Sequence, residues 1–146
     1  MVAQKFPKGH PNAGQDTEFP LAIKYYDKIH TIRANYALWE KRFRKIAAGE
    51  AVLSLRIWAD KPYMSKQLEI FRYDRTHGIG LEKLALETYK VDDDGIWYAD
   101  LISGSFLKDL AKHDGLSVED FKDWFAKVSK LEPFAIIHFT SFRYGL

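Results

Sequence analysis

The chain has 146 residues and no cysteine, with 22 Lys and Arg against 20 Asp and Glu, which gives a formal charge of +2. This length suits one compact domain, and a content of 47% apolar and 29% charged residues is typical of a folded globular protein. The composition excludes disulfides, thiolate zinc sites and cysteine nucleophiles, and no apolar stretch reaches the roughly 18 residues that a membrane helix needs.

Residues 1–18 contain two Pro and two Gly and show little periodicity, so we expect an irregular N-terminal arm ahead of a single domain over residues 19–146. Lys5, Lys8 and His10 interrupt the region where a secretory signal has its apolar core. The sequence therefore predicts a cytoplasmic protein with no membrane partner.

Two helices and a strand are predicted next. Pro20 suits the first turn of a short helix over residues 21–25, and residues 29–34 alternate in polarity as a short strand does. A longer helix is predicted between Asn35, a good N-cap, and Gly49, a good helix stop. Its expected apolar face consists of Leu38, Phe43 and Ile46, and its other face carries Lys41, Arg42, Arg44 and Lys45.

The middle of the chain changes to a period of two. Residues 51–58, 65–73 and 81–89 read as strands, although the last of them also contains residues that favour a helix. A polar turn is predicted at residues 92–95. In the first strand, the side chains expected to point inward are Leu53, Leu55 and Ile57.

Two helices and a closing strand end the chain. The helices are predicted over residues 105–112 and 118–128, the second opened by a variant of the capping box. A β-prone closing strand follows Pro133 over residues 134–142. These elements predict an α+β domain in which a mostly antiparallel, curled sheet forms a small β-barrel flanked by a few helices.

Charge is distributed unevenly along the chain. Residues 24–75 hold 12 basic and 6 acidic residues, whereas residues 76–133 hold 7 basic and 12 acidic ones. The basic segment is a candidate footprint for a polyanion such as RNA, and an asymmetry of this size also arises by chance.

The segment 28–33 (KIHTIR) resembles the K-x-x-T-x-R signature strand of the ASCH domain family, whose members are PUA-like β-barrels. In that family a Gly followed by a strand comes later, as Gly49 does here, and two helices are joined by an acidic turn like the D-G pair at 114–115. An apolar closing strand is matched by residues 134–139. The likeness covers residues 19–142 in order, which makes it more specific than any single motif.

The resemblance implies a domain that handles RNA or a nucleoside without a metal or other cofactor. The best-defined enzymes of the family are N4-acetylcytidine amidohydrolases, whose catalytic Lys, Thr and acid map onto Lys28, Thr31 and Asp114. Arg33 matches the Arg that ends the motif. Asp114 is one carbon shorter than the family's Glu, so its reach is a point for the structure to decide. Other members are considered ribonucleases or RNA-binding modules.

The chemistry of these residues is consistent with amide hydrolysis if they meet in one cleft. A Thr hydroxyl needs a base, and a Lys is a base only when burial or a nearby cation lowers its pKa. Arg33 is suited to supply that cation, or to bind a phosphate or an oxyanion, and Asp114 to orient Lys28 or to shuttle a proton. Lys28 and Thr31 lie on opposite faces of a regular strand, so they converge only if residues 28–30 turn or bulge.

The helix after the motif offers further candidates for RNA contact. Trp39 is suited to stack on a base, and the alternative is that it packs inward. Tyr63, in the turn between two strands, either lines the mouth of the barrel or has a structural role. The cations suited to phosphate contact on that helix, or to a simple solvated face, are Lys41, Arg42, Arg44 and Lys45.

Three functions remain open from the sequence. The favoured one is an RNA- or nucleoside-binding module without chemistry, which needs only a basic cleft. The second is a metal-independent enzyme in the same cleft, either an amidohydrolase or a ribonuclease, and the third is a structural or protein-interaction domain. The position of Lys28 discriminates between the first two: burial beside Thr31 and Asp114 favours catalysis, whereas exposure favours binding.

Overall fold

The computed structural model of the chain describes residues 1–85, 87–88, 97–98, 104–125 and 133–146. The helices within these ranges are α1 (Phe19–Lys24), α2 (Tyr36–Ala47), α3 (Gly104–His113) and α4 (Val118–Phe125). The strands are β1 (His30–Arg33), β2 (Leu53–Trp58), β3 (Gln67–Tyr73), β4 (Gly80–Leu84), β5 (Glu87–Thr88), β6 (Trp97–Tyr98) and β7 (Phe134–His138). The α+β class predicted from the sequence is confirmed, with antiparallel sheets and a few helices.

The main sheet has the strand order β1-β7-β4, and both pairings are antiparallel. In β7, His138 pairs with His30 of β1 on one side and with Gly80 of β4 on the other. All five residues of β7 are buried, which explains why its sequence is a continuous rather than an alternating apolar run. β7 therefore fixes the position of β1, the strand that carries Thr31 and Arg33.

A second sheet consists of the β2–β3 hairpin, whose register is irregular after Leu55. Leu53 and Leu55 are buried, as the alternation predicts, and they pair with Tyr73 and Phe71. Tyr73 also stacks against Phe139, just beyond β7, with the two ring centroids 6.1 Å apart. The hairpin therefore packs onto the main sheet through its apolar face.

The described strands belong to separate sheets of three, two and two strands. No closed barrel is present among these strands, so the barrel stays a prediction. In the same part of the chain, no helix has the length and apolar character needed to cross a lipid bilayer.

Residues 1–18 contain an isolated bridge but no longer strand or helix, and they pack against the rest of the molecule. The N–H of Val2 donates to the carbonyl of Arg56 at 2.7 Å, and Thr17 Oγ1 donates to the carbonyl of Ala3 at 2.7 Å. Val2 and Thr17 are both buried. The first residues of the chain are thereby held beside β2.

The helix α2 begins at the predicted N-cap, because Asn35 Oδ1 accepts the N–H of Leu38 at 3.1 Å. Leu38 is nevertheless 41% exposed, so its assignment to the apolar face is wrong. Leu38 precedes Phe43 by five residues, which separates their side chains by about 140° around a helix, whereas Trp39 and Phe43 share a face. The side chains of α2 that pack against the core are Tyr36, Trp39, Phe43 and Ile46.

Three of the sequence predictions extend outside the described residues. They are the end of the strand over 81–89, the polar turn at 92–95 and the end of the helix over 118–128. Within the described part, β4 ends at Leu84 and α4 is described as far as Phe125.

Candidate functional site

Lys28 lies in the turn between α1 and β1. The N–H groups of Asp27 and Lys28 both donate to the carbonyl of Ala22, at 2.9 and 3.1 Å, which folds the chain back after α1. The strand begins only at His30. Because Lys28 precedes the strand, the alternation of strand faces does not separate it from Thr31, and both residues line the same cavity.

Asp114 is positioned by the way in which α3 ends. The N–H of Leu116 donates to the carbonyl of Ala111 at 2.9 Å, and the N–H of Gly115 donates to that of Lys112 at 3.0 Å, which is a Schellman C-cap. Gly115 has a φ of +78°, the left-handed conformation that this cap requires. The cap leaves Asp114 only 5% exposed, facing Lys28.

Lys28 and Asp114 form a buried ion pair, with Lys28 only 3% exposed. Lys28 Nζ donates to Asp114 Oδ1 and to the backbone carbonyl of Asp114, both at 2.6 Å. The ammonium also lies 4.2 Å from the centroid of the Phe19 ring. Asp114, although one carbon shorter than a Glu, therefore reaches Lys28. The Lys28 ammonium also caps the negative end of α3, because it donates to the carbonyl of Asp114.

Burial and pairing act in opposite directions on this pair. Burial lowers the pKa of Lys28, although Asp114 works to raise it. Burial alone would raise the pKa of Asp114, but Lys28 and His30 outweigh it and lower that pKa. The buried Lys28 ammonium therefore gives up its proton more readily than an ordinary Lys, while Asp114 stays the stronger acid of the pair.

The pair opens onto a cavity of about 60 Å³. Two Trp side chains, Trp39 and Trp124, form part of its apolar wall. The polar lining consists of Lys28, Thr31, Arg33, Ser54 and Asp114. A space of this size takes only a small group. Of the residues that line it, Met1 is the exposed one, at 47%, so the mouth of the cavity lies beside Met1.

Thr31 and Arg33 share one face of β1, because they are two residues apart on a strand. Arg33 Nη1 donates to Thr31 Oγ1 at 2.8 Å and to the carbonyl of Ile32 at 2.9 Å. Arg33 Nη2 donates to the carbonyl of Met1 at 3.0 Å. The charged donor on Thr31 Oγ1 stabilises negative charge that develops on this oxygen, and the hydroxyl proton stays available to a base.

A row of polar side chains continues from Asp114 on the side away from the cavity, and hydrogen bonds join three of them: His30, Tyr144 and His113. Asp114 Oδ1 is 3.6 Å from His30 Nδ1, which has no hydrogen-bond partner among the described residues. His30 Nε2 is 2.8 Å from Tyr144 Oη, and Tyr144 Oη is 3.0 Å from His113 Nδ1. Burial lowers the pKa of His30 and raises that of Tyr144, so both rings are neutral at pH 7.

The hydrogen bonds that join His30, Tyr144 and His113 all run in one direction, from donor to acceptor. A carboxylate beside His30 Nδ1 favours the tautomer with its proton on Nδ1, so Nε2 accepts from the hydroxyl of Tyr144. Tyr144 Oη then accepts from His113 Nδ1. We assign the protons on this basis. The hydrogen bond with Tyr144 fixes the ring of His30, whose Nδ1 faces the Asp114 carboxylate. No local sequence pattern indicates this network, because Tyr144 follows His113 by 31 positions and His30 by 114 positions.

Acid pH is expected to destabilise the protein through His138. Burial lowers the pKa of His138 to about 4, with His30 and Arg143 adding to the effect and Glu82 opposing it. The unfolded state takes up this proton below about pH 6.5 and the folded state only near pH 4. The free energy of unfolding should therefore fall as the pH falls through this window, by up to about 3 kcal/mol.

Urea unfolding between pH 7 and pH 4 measures this dependence. The variant His138→Gln should flatten the slope, because the titrating group is gone. His77→Gln is the matched control, since its ring is exposed at the surface. A slope that is equally steep in His138→Gln would show that other groups carry the acid sensitivity.

The remaining candidate binding residues divide between the cavity and the surface. Trp39 lines the cavity, and the Arg42 guanidinium carbon lies 4.6 Å from the centroid of its indole ring. Tyr63 is 90% exposed at the tip of the β2–β3 hairpin and is not among the residues that line the cavity. The α2 cations that are exposed and also outside the cavity lining are Lys41, Arg42, Arg44 and Lys45.

A separate group of possible metal ligands lies at the N-terminal arm, where His10 is close to Asp120 and Asp123. His10 Nδ1 accepts the N–H of Asn12 at 3.0 Å, so the neutral ring carries its proton on Nε2. His10 Nε2 is 3.2 Å from the backbone carbonyl of Asp120, to which it donates. Both ring nitrogens are therefore used within the protein, which favours a structural role for this cluster.

Comparisons of this chain with protein-family models, with curated proteins and with solved structures found no match.

Proposed function

We propose that the protein is a metal-independent amidohydrolase of the ASCH type that removes a small acyl group from a modified nucleoside such as N4-acetylcytidine. The observation that carries this proposal is the burial of Lys28 against Asp114 in a cavity that Thr31 and Arg33 also line. A module that only binds RNA has no need of a buried ammonium, because an exposed Lys contacts phosphate equally well.

Each residue has a role in the proposed reaction. Thr31 Oγ attacks the acyl carbon held in the cavity, while the neutral amine of Lys28 takes the hydroxyl proton. The C–N bond then breaks, and Lys28 returns this proton to the leaving amine of the base. Lys28 then takes a proton from water, which attacks the acyl ester on Thr31. The bond between the acyl carbon and Thr31 Oγ1 breaks, Lys28 returns the proton to Oγ1, and the carboxylic acid leaves.

The other groups prepare Lys28 for this role. Burial lowers its pKa, so the neutral amine is more accessible than in an exposed Lys, and Asp114 holds the nitrogen in place. Arg33 is directed at Thr31 Oγ1, where it stabilises the oxygen as it loses its proton. His30 orients the Asp114 carboxylate from behind.

The proposal includes the PUA-like barrel that the resemblance implies. Its support is the packing of two antiparallel sheets against each other through Tyr73 and Phe139. A solved structure tests it by whether hydrogen bonds join the hairpin to the main sheet into one closed sheet.

Release of cytidine and acetate from N4-acetylcytidine tests the activity. We expect Lys28→Met and Thr31→Val to lower the rate at least about a hundredfold, because each removes a group that moves or loses the proton. Lys41→Met is the matched control, since Lys41 is exposed on α2 outside the cavity. The wild-type rate should also rise with pH as Lys28 loses its proton.

An RNA-binding role without chemistry is the second candidate. It is favoured by the exposed cations of α2 on the same helix as Trp39. Retention of short RNAs without turnover of the nucleoside would select this role over the amidohydrolase. If the protein neither turns over the nucleoside nor retains RNA, the structural role is the one that remains.

A further inference from the structure

Arg33 is a half-buried cation without an acidic partner in the part of the chain that the structure describes. Its hydrogen bonds go to uncharged oxygens of Thr31, Ile32 and Met1, and within the described residues no carboxylate lies at ion-pair distance from it. The acid that lines the same cavity, Asp114, is already paired with Lys28. A guanidinium in this position lacks the counter-charge that usually offsets its desolvation.

Two further guanidinium groups touch the wall of the cavity from outside. Arg42 packs over the ring of Trp39, and Arg56 Nε donates to Ser54 Oγ at 3.0 Å. Trp39 and Ser54 both line the cavity. In the described part of the chain neither Arg42 nor Arg56 forms an ion pair.

The charges of all three guanidinium groups act on one residue that lines the cavity, Met1. The α-amino group of Met1, which lines the cavity, has a lowered pKa, first because of burial and then because of Arg33, Arg42 and Arg56. The carboxylate of Glu69, which accepts from Ser54, is already paired with Arg72 at 2.9 Å. The mouth of the cavity therefore carries an excess of positive charge.

We infer that Arg33, Arg42 and Arg56 form an anion subsite that takes the phosphate of a nucleotide at the mouth of the cavity. Guanidinium groups bind phosphate oxygens in pairs, and a dianion supplies the counter-charge that Arg33 lacks. The cavity holds only a small group, so the sugar and phosphate of a bound nucleotide lie outside it, near these side chains. This inference rests on the proposed function for the nucleoside part of the ligand, and it narrows the substrate to a phosphorylated form.

Calorimetric titration with cytidine, cytidine 5′-monophosphate and inorganic phosphate at low ionic strength tests the subsite. We expect the monophosphate to bind at least tenfold more tightly than cytidine, and this preference to shrink as salt is added. Arg42→Gln and Arg56→Gln should each reduce the preference severalfold and their combination should abolish it. Both side chains are exposed, so these variants should fold as the wild type does.

Arg44→Gln is the matched control, because Arg44 is an exposed guanidinium on the same helix as Arg42 that pairs with Glu40. It should leave the preference for the monophosphate unchanged. The phosphate belongs either to the backbone of an RNA or to the end of a mononucleotide, and a short oligocytidine RNA distinguishes the two. Tighter binding of the RNA than of the monophosphate assigns the subsite to a backbone phosphate. Tighter binding of the monophosphate assigns it to a terminal phosphate. Equal affinity for cytidine and its monophosphate, or a preference that survives in the double variant, would overturn the inference.

The inference and the proposed function fail in different ways. Deacetylation of N4-acetylcytidine at the same rate with and without a 5′-phosphate would remove the subsite and leave the amidohydrolase in place. Phosphate-dependent binding by a wild-type protein that deacetylates neither compound would keep the subsite and remove the amidohydrolase.

Discussion

Asp114→Asn is expected to destabilise the protein by about 3–5 kcal/mol, because it leaves the ammonium of Lys28 buried without an opposite charge. The double variant Lys28→Met with Asp114→Asn should recover part of this loss, since no charge then remains in the interior. Urea unfolding of the two single variants and the double variant measures the coupling between the residues.

Asp109→Asn is the control for the change of Asp to Asn, because Asp109 is an exposed residue of the same helix. Its effect should stay within about 0.5 kcal/mol. The loss of stability that Asp114→Asn causes should also become smaller as the pH rises, because the unpaired Lys28 is then buried in its neutral form. A double variant that is no more stable than Asp114→Asn would contradict the picture of a mutually dependent pair.

Gly115→Ala is expected to cost about 2–4 kcal/mol, of which 1–2 kcal/mol is strain from the left-handed backbone. The rest arises because the new Cβ would lie 3.3 Å from Lys28 Cβ and 3.4 Å from Phe19 Cδ1, side-chain atoms that are themselves held in the core. The same substitution should displace Lys28 and reduce the proposed deacetylation more than it reduces the folded fraction.

Gly14→Ala separates the two contributions. Gly14 has a φ of +81°, close to that of Gly115, but no heavy atom lies within 4 Å of a Cβ built there. Its loss of stability should therefore reflect backbone strain alone, at about 1 kcal/mol. Equal losses for the two variants would show that the contact with Lys28 does not limit packing at position 115.

The elements that depend on local pattern were accessible from the sequence. The alternation of Leu53 and Leu55 placed β2 with the correct inward face, and Asn35 marked the start of α2. Leu38 shows the limit of this reasoning, because an apolar residue was counted into a face that its position on the helix does not share.

The candidate site depends on long-range contacts that no local pattern contains. Lys28 and Asp114 are 86 positions apart, and only the resemblance suggested that they meet. Alternation along β1 places the side chains of His30 and Thr31 on opposite faces of the strand. The sequence has no signal that brings His30 to Asp114 or Tyr144 to His30. Arg56 belongs to the predicted strand over residues 51–58. Its place beside the cavity, through Ser54, depends on how the hairpin packs, and the sequence does not indicate that packing.

The central position of β7 has a consequence for how the protein is made. β1 pairs with a strand that is synthesised about a hundred residues later, and β4 waits for the same partner. Until β7 leaves the ribosome, both strands expose unpaired edges, which are the usual starting points of aggregation. We therefore expect chains truncated before residue 134 to require chaperones or to be degraded, because β1 and β4 then lack the strand that they both pair with.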